Sequence, residues 1–180
     1  MHKLSYEEIF NVRPKLEDLK NEQRFPIYCL VEDVRSLYNV GSIFRTSDAV
    51  KLSKLFLTGF TGFPPRREIE KTALGSTESV PWQHYKNTSD AIHELKNNNI
   101  KLIALEHTSE SIPYNQFEYE FPFCLLLGNE VEGLSEKTIE KIDYSVDIPM
   151  FGLKQSLNVS VAYGVVIFHV LQLYMQKNKF

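Results

Sequence analysis

Ser156-Leu157-Asn158-Val159-Ser160-Val161-Ala162 is the segment on which the fold and the chemistry of this chain depend. It opens the most apolar stretch, Val159 to Tyr174, and follows Ile148-Pro149-Met150 and a short turn. We expect one long core helix over Lys154 to Gln176, and the plainest interpretation of Ser156 is that it caps this helix. Small polar side chains at this position also suit a ligand site, because the free N–H groups of a helix N-terminus hold anions and polar groups.

The rest of the sequence alternates between strand-like and helix-like segments. Short apolar runs predict strands at Phe25 to Val31, Lys54 to Gly59, Ile100 to Glu106, Phe121 to Leu127 and Ser145 to Ile148. Helices are predicted at Asn11 to Glu22, at Val40 to Val50 with Asn39 as N-cap, in a polar segment ending at Gly75, at Ser89 to Asn99 and at Ser135 to Lys141. This order is typical of an α/β fold with a mainly parallel central sheet flanked by helices. We assign 1–24 to an N-terminal helical extension and 25–180 to one domain.

The composition is that of a globular protein with a sizeable core. The chain has 180 residues, of which 43% are hydrophobic and 24% charged, so we expect one domain. Cys29 and Cys124 lie in apolar strand-like runs without metal-ligand spacing, which favours buried, reduced thiols and a cytoplasmic location. The first residues lack the apolar core of a signal peptide. His169 and Gln172 interrupt the last apolar stretch, so we expect no membrane-spanning run.

The charge balance argues against a protein that coats nucleic acid nonspecifically. The net charge is −3, whereas such proteins usually carry a basic face. A local basic patch remains compatible with that value. Arg66-Arg67, after Pro64-Pro65, is a basic loop tip that can contact an RNA backbone, and a solvated pair fits the sequence about as well. The sequence contains no P-loop, no Gly-x-Gly-x-x-Gly and no His/Cys metal set.

Two further segments carry polar groups at the carboxyl ends of strands, where open α/β sheets bind ligands. Gly128 and Gly133 allow a close approach of the backbone to a ligand, and Glu130 lies between them. Spacing alone favours a plainer interpretation, a tight strand-to-helix turn capped by Ser135. Arg45 lies off the apolar face of its helix, so it is either solvated or bound to a phosphate or a developing oxyanion.

The three segments together resemble the SpoU family of RNA 2′-O-ribose methyltransferases, in the SPOUT superfamily. The first motif is Asn39 to Arg45, Asn-Val-Gly-Ser-Ile-Phe-Arg. The second is an apolar strand that runs into Gly-x-Glu-x-x-Gly-Leu-Ser, here Leu125 to Ser135. The third is Ile-Pro-Met, a short turn and Ser-Leu-Asn-Val-Ser-Val-Ala, here Ile148 to Ala162. Each motif alone is weak, but all three in this order are specific, and the resemblance covers roughly residues 26 to 172.

The resemblance implies a fold, a cofactor and a set of site residues. The fold would be an α/β domain with a deep trefoil knot at its C-terminal end, and the protein would be a homodimer through the knot region. The cofactor would be S-adenosyl-L-methionine, held largely by backbone. The family's cofactor positions correspond to Leu105, Glu106, Gly128, Asn129, Ile148, Met150 and Leu157. Its catalytic positions correspond to Asn39, Arg45, Glu130, Ser156 and Asn158.

The implied reaction is methyl transfer to a ribose 2′-hydroxyl of tRNA or rRNA. A guanidinium is a poor base, so we expect Arg45 to stabilise the emerging alkoxide and an adjacent phosphate. DNA lacks the 2′-hydroxyl and is not an expected partner. Substrate choice would come from the N-terminal helix, loops such as Gly59 to Arg67 and the dimer surface. The alternatives are a non-catalytic RNA-binding or ribosome-associated dimer of the same fold, and an RNA base methyltransferase of the wider superfamily.

Overall fold

The computed structural model describes residues 1–178, apart from the side chains of Lys20 and Asn21. Lys179 and Phe180, which end the domain predicted over 25–180, lie outside the described residues. The described strands are β1 (Phe25–Glu32), β2 (Leu52–Thr58), β3 (Trp82–Tyr85), β4 (Lys101–Leu105), β5 (Ile112–Pro113), β6 (Phe123–Leu127) and β7 (Tyr144–Asp147). The described helices are α1 (Tyr6–Asn11), α2 (Leu16–Asn21), α3 (Leu37–Ala49), α4 (Arg67–Ala73), α5 (Ser76–Ser79), α6 (Thr88–Asn97), α7 (Glu136–Ile139) and α8 (Val159–Asn178).

The strands form one sheet in the order β3-β2-β1-β6-β4-β7-β5, and every pairing is parallel. The prediction of an α/β fold with a mainly parallel sheet is therefore confirmed. All five residues of β6 are buried, as expected of a central parallel strand that is covered on both faces. Alternate residues of β6 lie on opposite faces of the sheet. Phe123, Leu125 and Leu127 pack with α3 and α8, whereas Cys124 and Leu126 pack with α6.

The five predicted strands are present, and two edge strands were not predicted. β3 has four residues, none of them buried, and β5 has two. Strands this short, with one edge exposed, carry no period-2 pattern long enough to be detected in the sequence. Cys29 and Cys124 are free and buried, as predicted.

The long final helix begins five residues later than predicted, at Val159 instead of Lys154. Asn158 lies immediately before it, and the side-chain Oδ1 of Asn158 accepts a hydrogen bond from the backbone N–H of Ser160 at 2.9 Å. Asparagine satisfies free N–H groups at a helix start well, so the chain remains non-helical up to this residue. Ser156 is therefore not the N-cap, and Ser156 and Leu157 belong to an irregular segment that precedes the helix.

α8 is long and apolar enough, by length and composition, to cross a membrane: it has 20 residues, and its most apolar 18-residue window has a mean hydropathy of 1.4. The prediction that no run meets this criterion was wrong, because the helix continues four residues past Tyr174. Core helices of soluble proteins meet the same criterion. One face of α8 is indeed part of the core, through Tyr163, Val166, Ile167 and Val170.

The N-terminal extension forms two short helices where one helix over Asn11 to Glu22 was predicted. Pro14 lies between them and separates them, because proline lacks an N–H group and disfavours helical geometry in the residue before it. Ser5 and Glu8 form a capping box at the start of α1, which has no buried residue. A second cap prediction also fails: the N-cap of α3 is Ser36, whose side chain accepts from the N–H of Asn39 at 3.3 Å.

Candidate active site

A pocket of about 250 Å³ lies at the carboxyl ends of β4, β6 and β7. Three segments line it, one after each of these strands. All seven predicted cofactor residues are among the lining residues: Leu105, Glu106, Gly128, Asn129, Ile148, Met150 and Leu157. Three of the five predicted catalytic residues line it as well: Glu130, Ser156 and Asn158. The structure thus brings residues from distant parts of the sequence to one edge of the sheet.

The loop Gly128 to Gly133 is held in one tight shape by its own backbone. The N–H groups of Asn129 and Gly133 donate to each other's carbonyl oxygens, both at 3.0 Å. The side-chain oxygen of Asn129 accepts from the N–H groups of Val131 and Glu132 at 2.9 and 3.1 Å. A Cβ on Gly128 would lie 2.2 Å from the backbone of Gly133, so only glycine fits here. The pocket wall is therefore rigid before any ligand binds.

Glu106 joins the loop after β4 to the loop after β6. Its carboxylate accepts a hydrogen bond from the backbone N–H of Leu134 at 3.1 Å. It also covers Gly133, where a Cβ would lie 2.3 Å from the carboxylate. Gly133 has a φ of +71°, a value that favours glycine on its own account. The carboxylate therefore fixes the spacing of two walls of the pocket.

Glu130 extends from the pocket to the start of α3. Its two carboxylate oxygens accept from the backbone N–H groups of Arg35 and Ser36 and from the side-chain amide of Asn39, each at 3.0 Å. Partial burial alone raises the pKa of Glu130, but these hydrogen bonds outweigh it and hold the pKa below its usual value. The stabilisation is present above the unfolded-state pKa and is lost as the pH falls through the lowered one. Glu130 is therefore a carboxylate at neutral pH.

Asn39 links Glu130 to the start of α8. The side-chain oxygen of Asn39 accepts from the side-chain amide of Asn158 at 3.1 Å, while its own amide donates to Glu130. Asn39 can bridge in this way because Ser36, and not Asn39, caps α3. We call Glu130, Asn39 and Asn158 the polar chain. It runs along the mouth of the pocket and presents hydrogen-bonding groups of three separate elements to a ligand.

Arg45 does not join the polar chain. It lies six residues beyond Asn39 on α3, roughly 9 Å along the helix axis. Its side chain is exposed, makes no hydrogen bond or ion pair with the described residues, and does not line the pocket. Arg66 and Arg67, at the start of α4, are also exposed. These three guanidinium groups are therefore available to an external anion.

His107 lines the pocket, although no sequence pattern had selected it. Its Nδ1 lies 3.3 Å from a carboxylate oxygen of Asp147, and its Nε2 lies 3.1 Å from the carbonyl oxygen of Gln155. It therefore connects the ends of β4 and β7 with the segment that precedes Ser156. Asp147 and Gln155 lie 40 and 48 positions after His107 in the sequence, so no local motif could have revealed these contacts. Within residues 1–178 no group of three metal-ligating side chains is placed to hold a metal ion.

Comparison with known proteins identifies relatives of this chain. A family model described as the SpoU rRNA Methylase family matches residues 26–168. The tRNA (guanosine(18)-2′-O)-methyltransferase of Aquifex aeolicus is 29% identical over 154 residues, which are 86% of this chain and 72% of that protein. The chain spans about three fifths of the length of several other relatives.

Two solved structures have the same fold. The A. aeolicus TrmH/SpoU tRNA modifying enzyme superposes with a TM-score of 0.81 at 28% identity, covering 91% of this chain and 82% of that one. The AdoMet-bound rRNA methyltransferase from Sinorhizobium meliloti superposes with a TM-score of 0.78 at 30% identity, covering 86% of this chain and 60% of that one.

Proposed function

The chain belongs to the SpoU rRNA methylase family, and on that premise we propose that it transfers the methyl group of S-adenosylmethionine to a ribose 2′-hydroxyl of tRNA or rRNA. The observation that carries the proposal is the polar chain at the mouth of the pocket. It sets a carboxylate and two amides beside a cavity that both apolar and polar residues line. The related S. meliloti structure was solved with AdoMet bound, which supports the choice of cofactor.

The pocket residues divide the binding task between backbone and side chains. Leu105, Leu157 and Ile148 supply apolar surface for an adenine ring, and the ends of the strands supply backbone N–H and C=O groups. Bound S-adenosylmethionine would supply an electrophilic methyl group. The protein's task is then to hold a hydroxyl in line with that methyl, and positioning provides much of the rate enhancement for such reactions.

The predicted catalytic residues fit three parts of that task. Asn158 and Ser156 line the pocket next to the start of α8, where the ribose would approach. Asn39 and Glu130 hold Asn158 in one orientation. Arg45 has its charge free for the phosphate beside the target nucleotide and for the negative charge that develops on the 2′-oxygen. The proton passes to solvent or to a carboxylate, since a guanidinium is a poor base.

The proposal predicts a modified ribose. Purified protein incubated with labelled S-adenosylmethionine and RNA from cells that lack the gene should yield nuclease-resistant labelled dinucleotides, because 2′-O-methylation blocks cleavage. DNA of the same sequence should take up no label. Label released as nuclease-sensitive nucleotides would instead indicate a base methyltransferase. Absence of cofactor uptake in calorimetry would indicate a non-catalytic RNA-binding protein.

We further propose that the protein is a homodimer with a knotted C-terminal region that includes α8, as the family resemblance implies. The face of α8 opposite the core carries a second set of large apolar side chains, which are exposed in the single chain: Val161, Val165 and Phe168. A contiguous exposed apolar face of this kind marks an interaction surface. We assign it to a second copy of the chain, not to a lipid bilayer, and place the protein in the cytoplasm, in keeping with its two free cysteines.

Phe168→Glu tests the dimer. Phe168 is 50% exposed, so the substitution should leave the monomer fold intact while placing a charge in the proposed interface. We expect the wild type to sediment as a dimer and the variant as a monomer. Leu74→Glu, which changes an equally apolar exposed residue after α4, should sediment like the wild type. A monomeric wild type, or a variant that still dimerises fully, would contradict the assignment.

A further inference from the structure

The loop after β2 and the end of β3 expose a set of flat side chains. Phe60 is 59% exposed and Phe63 is 36% exposed. The Arg66 guanidinium lies 5.9 Å from the centre of the Phe63 ring, and the His84 ring lies 4.3 Å from it. His84 also reaches the carbonyl oxygen of Gly59, next to Phe60, at 3.1 Å. We call Phe60, Phe63, His84 and Arg66 the aromatic surface.

The turn that carries Phe60 is rigid. The N–H of Phe60 donates to the Asp33 carboxylate at 2.8 Å, and the N–H of Gly59 donates to the carbonyl of Tyr85 at 3.1 Å. The next residue, Thr61, is buried, and its hydroxyl bonds to the backbone of β1. None of these contacts uses the phenyl ring. These contacts fix the backbone of Phe60 without its side chain, and the exposed part of the ring gains nothing from folding.

The aromatic surface lies close to the candidate active site. Asp33 connects the two, because its carboxylate holds Phe60 while its carbonyl oxygen accepts from the Asn129 side chain at 2.7 Å. β2 and β6 both flank β1, so their ends are about 10 Å apart, which is two strand spacings. A nucleotide at Phe60 would therefore neighbour the nucleotide whose ribose lies at the pocket.

The charges around the surface favour a polyanion. The guanidinium groups of Arg35, Arg66 and Arg67 are exposed, and none forms an ion pair within residues 1–178. The carboxylate that contacts the turn, that of Asp33, accepts a hydrogen bond from the Phe60 N–H group. Aromatic rings and guanidinium planes flanked by free arginines are the features with which proteins bind unpaired nucleotides, through base stacking and phosphate contacts.

We propose that the aromatic surface is a stacking site for an unpaired base adjacent to the methylated nucleotide, which a regular duplex cannot occupy. This inference rests on the proposed RNA methyltransferase function and adds a base-binding site outside the pocket. A base-paired nucleotide has both its faces covered by neighbouring pairs, so it cannot stack on Phe60 without leaving the helix.

Phe60→Ala tests the inference, with binding of a fluorescein-labelled single-stranded RNA of about 12 nucleotides and of its duplex as the probe. We expect the wild type to prefer the single strand. The variant should bind it about tenfold more weakly, Phe60→Trp should retain binding, and duplex binding should not change. Calorimetric affinity for S-adenosylmethionine should be the same in all three proteins. Tyr144→Ala is the control, because Tyr144 is an exposed aromatic residue at the opposite end of the sheet.

Three outcomes would overturn the inference. They are equal binding of single strand and duplex by the wild type, unchanged single-strand binding by Phe60→Ala, and no RNA binding by the wild type. The proposed function fails separately, through loss of cofactor binding or methyl transfer in the wild type. A Phe60→Ala variant with normal cofactor affinity and wild-type RNA binding therefore refutes the stacking site alone.

Discussion

Arg45→Lys is expected to bind S-adenosylmethionine within a few-fold of the wild type and to lose roughly 100-fold or more in kcat. The side chain lies outside the pocket, so cofactor affinity should not depend on it. It is also exposed and unpaired among the described residues, which leaves its planar fork free for a phosphate and the developing alkoxide. Lysine keeps the charge but cannot contact both oxygens with fixed geometry. Single-turnover methyl transfer and calorimetry would measure the two effects separately.

The matched control for this prediction is Arg13→Lys, an exposed arginine between α1 and α2. It makes the same chemical change at a distance from the pocket and should leave kcat unchanged. A near-wild-type kcat for Arg45→Lys would show that charge alone suffices and that bidentate contact is unnecessary. A large loss of cofactor affinity would show that Arg45 reaches the pocket in the assembled protein.

Gly128→Ala is expected to weaken cofactor binding, which Arg45→Lys should leave nearly unchanged. The new Cβ would lie 2.2 Å from both the carbonyl carbon of Gly133 and the nitrogen of Leu134, which are backbone atoms and cannot rotate away. The loop must therefore open, and its two Asn129–Gly133 hydrogen bonds must stretch or break. Overpacking of this kind costs about 1–3 kcal/mol, so we expect the Kd for S-adenosylmethionine to rise roughly 10- to 100-fold.

Gly152→Ala provides the control. Gly152 follows the pocket residues Ile148 and Met150 in sequence, but a Cβ there meets no atom within 4 Å. Its cofactor affinity should match that of the wild type. Thermal unfolding of both variants distinguishes a displaced loop from a destabilised fold. An unchanged Kd for Gly128→Ala would mean that the cofactor does not depend on this wall of the pocket.

The sequence predicted the sheet better than it predicted the helix ends. Buried parallel strands such as β6 are continuous apolar runs and need no knowledge of tertiary structure to be found. The start of a helix depends on which of several nearby polar residues caps it. Ser36 caps α3, three residues before Asn39, and Asn158 lies at the start of α8, two residues after Ser156. In both cases the residue that was mistaken for the cap is free to face the site.

The sequence also predicted the candidate site only in part. Motif resemblance selected all seven proposed cofactor residues that line the pocket, although their role remains a prediction. It could not show that Glu130 accepts from two backbone groups at the start of α3, since those contacts join residues 94 and 95 positions apart. His107 and Phe60 were not selected for the site either, because a single histidine or phenylalanine in a loop has no spacing pattern to distinguish it.

The placement of Glu130 couples the pocket to the helix that carries Arg45. Its backbone belongs to the wall of the pocket, while its carboxylate completes the start of α3, the helix that carries Arg45. A ligand that contacts Glu130 in the pocket therefore also acts on the start of α3. If cofactor and RNA each favour the same position of Glu130, thermodynamic linkage requires each to raise the affinity for the other by the same factor. The enzyme would then hold RNA less tightly once the cofactor had left the pocket, which would favour turnover.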